Sequence, residues 1–325
     1  MINFKSSDSS LAIIDVPISL LALRSSLTNN NELNVDISTL TLSLNDNKNL
    51  KDLHANVFKE INYEIHSKKN LYWLIKKIFL SYKNRLNNLF ITDLGIKNKM
   101  LIILMRYDNL FILDDGLASI LREEKAIKLI LSISKSIFNL NGRRNINYLS
   151  LYKKIYELQP GYFNLKLSNK KKSNVFENKC IYVCSAPTMD GMSINDENIL
   201  TERVKSFSES LKKELLIIPH RVEEEKFSKK YKYSKYVYKM DSIFEEFYLN
   251  SEFKNCTFIT LYSGAILCVD DSHEKFYIRD YFKPQIKRTF INKILLKKIW
   301  DINILYDYFD ECNVKRLNDN DLYIK

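Results

Sequence analysis

Glycine and proline are scarce in this sequence, which has six glycines and five prolines among its 325 residues. Each of them therefore marks a place where the backbone has an unusual requirement. Most come just after short apolar runs, namely Pro17, Gly116, Pro187, Gly191, Pro219 and Gly264. Because open α/β sheets bind ligands beyond the carboxyl ends of their strands, this placement favours an α/β fold with binding loops at those ends.

Several other signals are absent. The five cysteines include only one closely spaced pair, which disfavours a zinc site or a disulfide framework and fits reduced thiols in a cytoplasm. Neither GxGxxG nor GxxxxGK[ST] occurs, which disfavours a dinucleotide-binding fold and excludes a P-loop nucleotide hydrolase. No apolar run reaches 18 residues and no basic signal-peptide start is present, so we expect neither a membrane span nor a signal peptide.

Positive charge is what the chain has in excess. Its formal net charge is +11, and lysine dominates. In one interpretation, a solvated surface and an AT-rich coding sequence account for this value. In the other, the charge attracts an anionic partner such as a nucleotide, a phospholipid or a nucleic acid.

Apolar patterns predict two α/β domains, 1–160 and 175–325, with a linker in 158–179 that contains Pro160-Gly161 and a lysine run. In the first domain they predict strands at 11–14, 33–43, 89–94 and 109–113, and helices from Pro17 and over 49–67, 71–86, 97–107 and 123–138. In the second they predict strands at 180–185, 215–219, 257–261 and 265–269, and helices over 195–211, 241–249 and 287–308. The second domain's first helix is expected to be capped by Asn195 or Asp196, with Ile199 and Leu200 on its apolar face.

Two adjacent carboxylates and a glycine, Asp114-Asp115-Gly116, end the apolar run LFIL. Glycine lets the chain turn sharply, and neighbouring side chains of an extended backbone point opposite ways. One carboxylate would face a crevice, and its neighbour's charge would raise its proton affinity, as suits a general base. An ordinary surface turn is the alternative.

Of the four histidines, only His220 directly follows an apolar strand and a proline, in LLIIPHR. Pro219 restricts the backbone, Arg221 would keep an anion nearby, and the imidazole can donate a proton or a hydrogen bond to a phosphate leaving group. A capping or surface histidine is the alternative. The other three are expected to be structural in a helix (His54) or exposed at loops and helix ends (His66, His273).

Two further loops follow apolar strands in the second half. In ITLYSGAILCV, the Ser263 hydroxyl and the N–H groups of the turn Tyr262-Ser263-Gly264 make a phosphate cradle, with a hairpin or a break in a buried segment as the alternative. In CSAPTMDGMS, we expect N–H groups and hydroxyls to face a nucleotide. The candidate residues of this loop are Ser185, Pro187, Thr188, Gly191 and Ser193.

These motifs, in this order, resemble those of bacterial sialyltransferases of the GT-B type. Asp114-Asp115-Gly116 is similar to their acidic motif, His220-Arg221 to their histidine motif and Tyr262-Ser263-Gly264 to their serine motif. The sequence most resembles the lipooligosaccharide sialyltransferases, with the capsule polysialyltransferases next. It departs from the pattern by having arginine after the histidine, where proline is usual, and glycine after the serine, where a second hydroxyl residue is common.

The resemblance implies two Rossmann-like domains facing across a central cleft, an acceptor-side domain with Pro17 and Gly116 and a donor domain with a terminal helix. It implies inverting, metal-independent transfer of sialic acid from CMP-sialic acid to a terminal sugar hydroxyl of a bacterial surface glycan, without a cofactor. Asp114 or Asp115 would take the acceptor proton, and His220 would stabilise the departing CMP phosphate. Ser263 would hold that phosphate, while the loop 185–193 and Glu245 or Glu246 would bind cytidine and ribose.

The implied partners are CMP-sialic acid, a glycan or glycolipid acceptor from lipooligosaccharide or capsule, and the anionic inner face of the cytoplasmic membrane. The protein would then be cytoplasmic and peripheral to that membrane, with a homodimer as a further expectation. Lysines near 68–69, 76–77, 170–172 and 229–239 would attract anionic lipid, each contributing about 1 kcal/mol close to the surface.

Other interpretations stay open at this point. Another GT-B transferase with a different nucleotide-sugar donor fits the same pattern, and so does a scaffold that has lost activity. A nucleic-acid-binding protein fits less well, because the basic residues are dispersed and no helix-turn-helix, RRM or zinc pattern is present.

Overall fold

The computed structural model describes residues 10–29, 39–58, 61–66, 71–92, 96–113, 145–150, 162–164, 174–187, 191–220, 232–240, 243–279 and 302–317. The chain forms two compact units, Met1–Ser168 and Asn169–Lys325. Their division falls inside 158–179, and the acceptor and donor roles of the two halves stay predictions.

The first unit is built on a seven-stranded parallel sheet in the order β3-β2-β1-β4-β5-β6-β7. Its strands are β1 Ser10–Ile14, β2 Leu40–Asn45, β3 Tyr63–His66, β4 Leu86–Ile91, β5 Tyr107–Leu113, β6 Asn145–Ser150 and β7 Tyr162–Asn164. The order runs outward in both directions from the β1/β4 pair, which makes that pair the topological switch point of a Rossmann-type sheet.

The helices described in this unit are α1 Pro17–Asn29, α2 Lys48–Val57, α3 Leu71–Lys83 and α4 Ile96–Leu104. All five residues of β1 are buried, as expected for a parallel strand covered on both faces. Trp73 of α3 and Leu101 of α4 pack in one core cluster with Ile13 and Ile91 of the switch-point strands. The predicted helix start at Pro17 is confirmed. Proline suits the first helical position, because an N–H there would have no partner within the helix.

Several boundaries in the first half differ from those predicted, and at two elements they differ by more than three residues. The helix predicted over 49–67 ends at Val57, and β3 follows it at Tyr63–His66. Ile61 and Ile65 fit a helical period, but Tyr63–His66 also alternates, and pairing with β2 decides the outcome. The second strand covers Leu40–Asn45 rather than 33–43. The helix predicted over 123–138 lies outside the described residues.

The second unit contains a five-stranded parallel sheet in the order β10-β9-β12-β13-β14 and a separate parallel pair, β8 with β11. Its strands are β8 Asn174–Glu177, β9 Lys179–Val183, β10 Glu214–Ile218, β11 Ser251–Lys254, β12 Thr257–Thr260, β13 Glu274–Ile278 and β14 Lys315–Leu317. Counted within the sheet, the order is that of flavodoxin-like folds, with its switch point between β9 and β12.

The helices described in the second unit are α5 Ile194–Ser210, α6 Phe244–Leu249 and α7 Ile302–Glu311, with 3-10 helices at Ser234–Tyr236 and Gly264–Cys268. The predicted strand–helix–strand unit is confirmed, since β9 and β10 flank α5 and pair in parallel. Only the last part of the predicted helix over 287–308 lies in the described residues, where α7 begins at Ile302 and continues to Glu311.

Three details of the second half were predicted wrongly. Ser193, not Asn195 or Asp196, caps α5, because its Oγ accepts the N–H of Asp196 at 3.1 Å. Ile199 is exposed rather than on the buried face. The segment AILCV lies in the 3-10 helix Gly264–Cys268 and its C-cap Val269 instead of a strand. The Ile266 N–H donates to the Ser263 carbonyl, and the Val269 N–H donates to the Ile266 carbonyl.

The structure confirms the predicted α/β class: both units are Rossmann-like, with parallel sheets that have helices between their strands. Among the described residues, no helix is both long and apolar enough to span a membrane.

Candidate functional site

Three of the predicted loops lie together at the carboxyl edge of the second sheet. The strand register places Ile218 of β10, Val183 of β9 and Thr260 of β12 at the same level. The residues that follow these three strands are therefore neighbours along one edge. This edge includes the switch point of the sheet, where α/β folds bind ligands.

A serine joins two of these loops directly. Ser185, which follows β9, accepts the backbone N–H of Tyr262 on its Oγ at 2.9 Å, and it is only 2% exposed. Thr260 makes a second link, since its Oγ1 donates to the Val183 carbonyl at 2.8 Å and accepts the Ser263 N–H at 2.9 Å. Ser185 was predicted to contact a ligand, but its burial and its bond indicate that it positions the Tyr262-Ser263 loop.

The loop that carries the predicted histidine is attached to the same edge. Cys184 donates its N–H to the Ile218 carbonyl at 2.9 Å, so the ends of β9 and β10 stay in contact one residue before Pro219. Pro219 is buried and His220 is half-buried. The His220 imidazole is therefore attached to a rigid backbone next to the switch point, which suits a group that must contact a bound ligand at a fixed position.

Ser263 stands where the chain turns into the 3-10 helix Gly264–Cys268. Its φ and ψ of −78° and 121° are extended, its carbonyl accepts the Ile266 N–H, and its side chain makes no capping bond. The first N–H groups of a helix have no partner within it. A half-buried hydroxyl beside such N–H groups can donate to an anion, which is the chemistry predicted for Ser263 and Gly264.

The loop after β9 has a different role at its far end from the one predicted. Met192 donates its N–H to the Pro187 carbonyl at 2.8 Å, and Gly191 has a φ of 102°, which favours glycine. Ser193 uses its hydroxyl to cap α5 and to bond the Asp196 carboxylate at 2.6 Å. With carboxylates in the first turn of α5, that helix start disfavours a phosphate, so the loops after β10 and β12 are the better candidates for binding an anion.

Glu245 lies on α6, which packs against the 3-10 helix that follows Ser263. Glu245 is 8% exposed. The helix is held by Tyr248, whose hydroxyl donates to Asp270 Oδ2 at 2.7 Å and accepts the Asp270 N–H at 3.1 Å. Burial raises the pKa of Tyr248, and the Asp270 carboxylate adds to that rise. The predicted role of Glu245 at the nucleoside stays a prediction.

A polar cluster that the sequence analysis missed lies at the switch point of the first sheet. Asp15, directly after β1, accepts hydrogen bonds from Asn98 Nδ2 at 3.1 Å and from His66, whose Nε2 is 3.2 Å from Oδ1. Lys97 Nζ is 3.5 Å from the same oxygen. The Asp15 N–H donates to Thr92 Oγ1 at 3.1 Å. His66 was predicted to be exposed and is in fact 1% exposed.

His66 connects this cluster to β2 and α3. Its Nδ1 is 3.0 Å from Ser43 Oγ, its ring stacks on Trp73 at 4.7 Å between centroids, and its Nε2 is 3.1 Å from Lys97 Nζ. Nε2 can serve only one neighbour at a time: with a proton it donates to Asp15, and without one it accepts from Lys97. His54, as predicted, is structural, since its Nε2 bonds the Ile61 carbonyl at 3.0 Å within the first unit.

The electrostatics of this cluster keep Asp15 ionised. Burial alone would raise the pKa of Asp15, but the hydrogen bond from His66, the charge of Lys97 and the hydrogen bond from Asn98 outweigh it and lower the pKa to about 2. So acidic a carboxyl group is a weak base at neutral pH, which makes Asp15 unsuited to taking a proton from a substrate. Its hydrogen bonds instead hold the loop before Pro17, the predicted acceptor-side residue that begins α1.

Several predicted site residues lie outside the described residues. They are Asp114, Asp115, Gly116, Thr188 and Arg221. The strand that leads to the acidic motif is confirmed, since β5 ends at Leu113, one residue before Asp114. Within the described residues, no group of three or more His, Cys, Asp or Glu side chains could hold a metal ion.

Comparisons with known proteins give a distant likeness among solved structures. No protein-family model matches the chain, and no curated protein matches it. Among solved structures, the chain is similar to E. coli heptosyltransferase WaaC with ADP, at 10% identity and a TM-score of 0.38, over 93% of this chain and 97% of that one. A likeness of this size does not identify a reaction.

Proposed function

We propose that this protein is a glycosyltransferase of the GT-B type that transfers sialic acid from CMP-sialic acid to a terminal sugar hydroxyl of a bacterial surface glycan. One observation carries the proposal. His220 and Ser263, which belong to the loops after two different strands, lie along one sheet edge beside a switch point, and the buried Ser185 holds the loop that carries Ser263. A histidine and a serine are the residue types that the resemblance assigns to binding the phosphate of the leaving CMP.

The proposed reaction is a single displacement with inversion at the sialic acid carbon. The acceptor hydroxyl attacks that carbon and gives its proton to Asp114 or Asp115, while the bond between the carbon and the CMP oxygen breaks. His220 donates a proton or a hydrogen bond to the departing phosphate. Ser263 and the N–H groups around Gly264 hold the phosphate, and these prearranged donors lower the barrier as negative charge develops.

The remaining parts of the proposal concern the nucleoside and the cellular setting. Glu245 and the loop containing Pro187 and Gly191 bind cytidine and ribose, with Thr188 and Arg221 completing the donor site. The transfer requires no metal and no cofactor. The acceptor is a lipooligosaccharide or capsular chain. The protein lies in the cytoplasm, on the inner face of the cytoplasmic membrane. It can assemble as a homodimer.

Nucleotide binding is the first test. We expect CMP to raise the unfolding midpoint of the full chain while UDP and ADP do not, since a ligand at 100 times its Kd adds about 2.7 kcal/mol of stability. A rise with UDP or ADP instead of CMP would show a different nucleotide-sugar donor. No rise with any nucleotide would contradict the proposed donor site.

Transfer is the second test. The chain is incubated with CMP-sialic acid, with and without EDTA, and with glycans that end in galactose or in sialic acid, and products are read by mass spectrometry. We expect transfer in both conditions and its loss in His220→Ala. Asp114→Ala and Asp115→Ala, made separately, identify the base. Asp46→Asn, an exposed carboxylate paired with Lys51, is the matched control. Wild-type turnover in all three alanine variants would contradict the assigned roles.

A further inference from the structure

Helix α3 carries large apolar side chains on its exposed face. Tyr72 and Phe79 are 75% and 72% exposed, and Ile75 and Tyr82 are also exposed. These four residues, which we call the α3 stripe, follow the spacing of a single helix face. Soluble proteins rarely leave a contiguous apolar surface of this kind without a partner.

The opposite face of α3 is already packed into the first unit, so the stripe cannot turn inward. Trp73 and Leu74 pack in the core cluster of the first unit. Lys77 pairs with Glu64 at 2.6 Å, and Ser81 Oγ accepts the Arg106 N–H at 3.1 Å. These contacts fix the rotation of the helix and therefore the direction in which the stripe faces.

The charges that α3 itself carries are all positive. The helix contains no acidic residue. Lys76 and Lys83 are exposed and lie four residues after Tyr72 and Phe79, so each lysine neighbours an aromatic ring on the same face. At the end of the helix, the Arg106 guanidinium lies 5.8 Å from the ring centroid of Tyr82.

We propose that the α3 stripe docks the protein on an anionic lipid bilayer, with α3 lying in the plane of the surface. Aromatic rings favour the interface between headgroups and acyl chains, and lysine stems can run along them while the ammonium groups reach lipid phosphates. A second copy of this chain fits less well, because a two-fold contact through the stripe would bring the lysines beside one stripe close to those beside the other, with no acidic residue on either helix to pair with them. The inference rests on the membrane contact in the proposed function but not on its chemistry.

Vesicle flotation of the full chain tests the docking surface. We expect binding to phosphatidylcholine vesicles that contain 30% phosphatidylglycerol, and little binding to pure phosphatidylcholine. Lys76→Glu with Lys83→Glu should weaken binding to the anionic vesicles at least about tenfold, since each lysine lost near the surface matters on that scale. Tyr72→Ser with Phe79→Ser should weaken it by a similar factor by removing apolar area.

Matched variants elsewhere separate the stripe from general charge and hydrophobicity. Lys48→Glu with Lys254→Glu reverses two exposed lysines outside α3, and Ile199→Ser removes an exposed apolar side chain from α5. These variants should bind anionic vesicles within about twofold of wild type, because they leave the α3 stripe and its neighbouring lysines unchanged. Each stripe variant is first shown to unfold cooperatively, so that a loss of binding is not a loss of folding.

Three outcomes would overturn the inference: no binding of wild type to anionic vesicles, equal binding to neutral ones, or wild-type binding by both stripe variants. A dimer in solution that the stripe variants abolish would show instead that a second copy covers the stripe. CMP binding and transfer to a soluble acceptor should be unchanged in the stripe variants. Vesicle binding and CMP-dependent transfer are therefore measured on the same variants, so that a failure of the docking surface can be told from a failure of the proposed chemistry.

Discussion

His66 Nε2 lies 3.2 Å from Asp15 Oδ1, and this contact joins the ends of β1 and β3 across the intervening strand β2. Ser43 of β2 contacts the other nitrogen of the same ring. Three strand ends are thus tied to one buried imidazole. In the second sheet, Thr260 and Ser185 tie the switch-point strand ends in a similar way. Each sheet therefore fixes the carboxyl edge of its strands with polar side chains rather than with apolar packing alone.

Asp15→Asn should destabilise the protein at neutral pH and remove part of its acid sensitivity. The pKa of Asp15 is about 2 in the folded protein against an ordinary value of 3.8, so the unfolded chain takes up this proton first. The stabilisation is fully present above the ordinary value, amounts to about 2 kcal/mol, and is lost as the pH falls toward about 2. Urea unfolding at pH 7, 4 and 2.5 measures it.

In that experiment the free energies of unfolding of wild type and Asp15→Asn should converge as the pH falls. Asp46→Asn, which changes an exposed carboxylate paired with Lys51, should change stability by less than about 0.5 kcal/mol at every pH. A difference between wild type and Asp15→Asn that does not depend on pH would contradict the assigned role of the charge.

His66→Ala should cost more stability than any exposed substitution in the first unit. It leaves a cavity beside Trp73 and removes the partner of Ser43 and one partner of Asp15, which together should cost about 2–4 kcal/mol. Ser43→Ala keeps the ring but removes its Nδ1 contact together with the Ser43 hydrogen bond to Glu64, and it should cost less, about 1 kcal/mol. Urea unfolding followed by circular dichroism measures both, and equal losses in the two variants would show that the ring is not the centre of the cluster.

Much of this fold could be predicted because buried parallel strands read as continuous apolar runs. β1, β9 and β10 are of this kind, and their neighbours in the sheets follow the same pattern. β3 was missed because Ile61 and Ile65 fit both a helical and an alternating period. β7 and β14 have three residues each, too few to show any period.

The placement of a candidate residue was predictable where a polar residue follows an apolar strand closely, and less so where long-range contacts decide its surroundings. His220 and Ser263 belong to the first kind. His66 belongs to the second kind, because its burial depends on Asp15, 51 positions away in the chain, and on Trp73 of α3, whose ring stacks on the imidazole. The position of Asp15 directly after LAII, at the end of a buried strand, was the one local signal available for this cluster.

The cysteines should fall into two reactivity classes. Cys180 is buried, and burial raises its thiol pKa to about 12, so almost no thiolate forms at neutral pH. Cys184 and Cys256 are buried as well, while Cys268 and Cys312 are half-buried. We expect a maleimide to modify the half-buried pair first in the native protein and all five thiols in urea, as read by mass spectrometry. Early modification of Cys180 would contradict its burial.

Ser185→Ala should loosen the loop that carries Tyr262 and Ser263. The substitution leaves the buried Tyr262 N–H without its acceptor, which should cost about 1–3 kcal/mol of stability. If Ser263 holds the phosphate of CMP, the same change should weaken CMP binding about tenfold without Ser185 touching the nucleotide, because the loop must be ordered again on binding. Urea unfolding and isothermal titration calorimetry measure the two effects.

Ser206→Ala is the matched control, since Ser206 Oγ donates only to the Glu202 carbonyl one turn earlier in α5. It should change stability by less than about 0.5 kcal/mol and leave CMP binding unchanged. A Ser185→Ala variant that is destabilised but binds CMP as tightly as wild type would separate the loop from the donor site. That result would keep the fold argument for Ser185 and remove Ser263 from the proposed phosphate contacts.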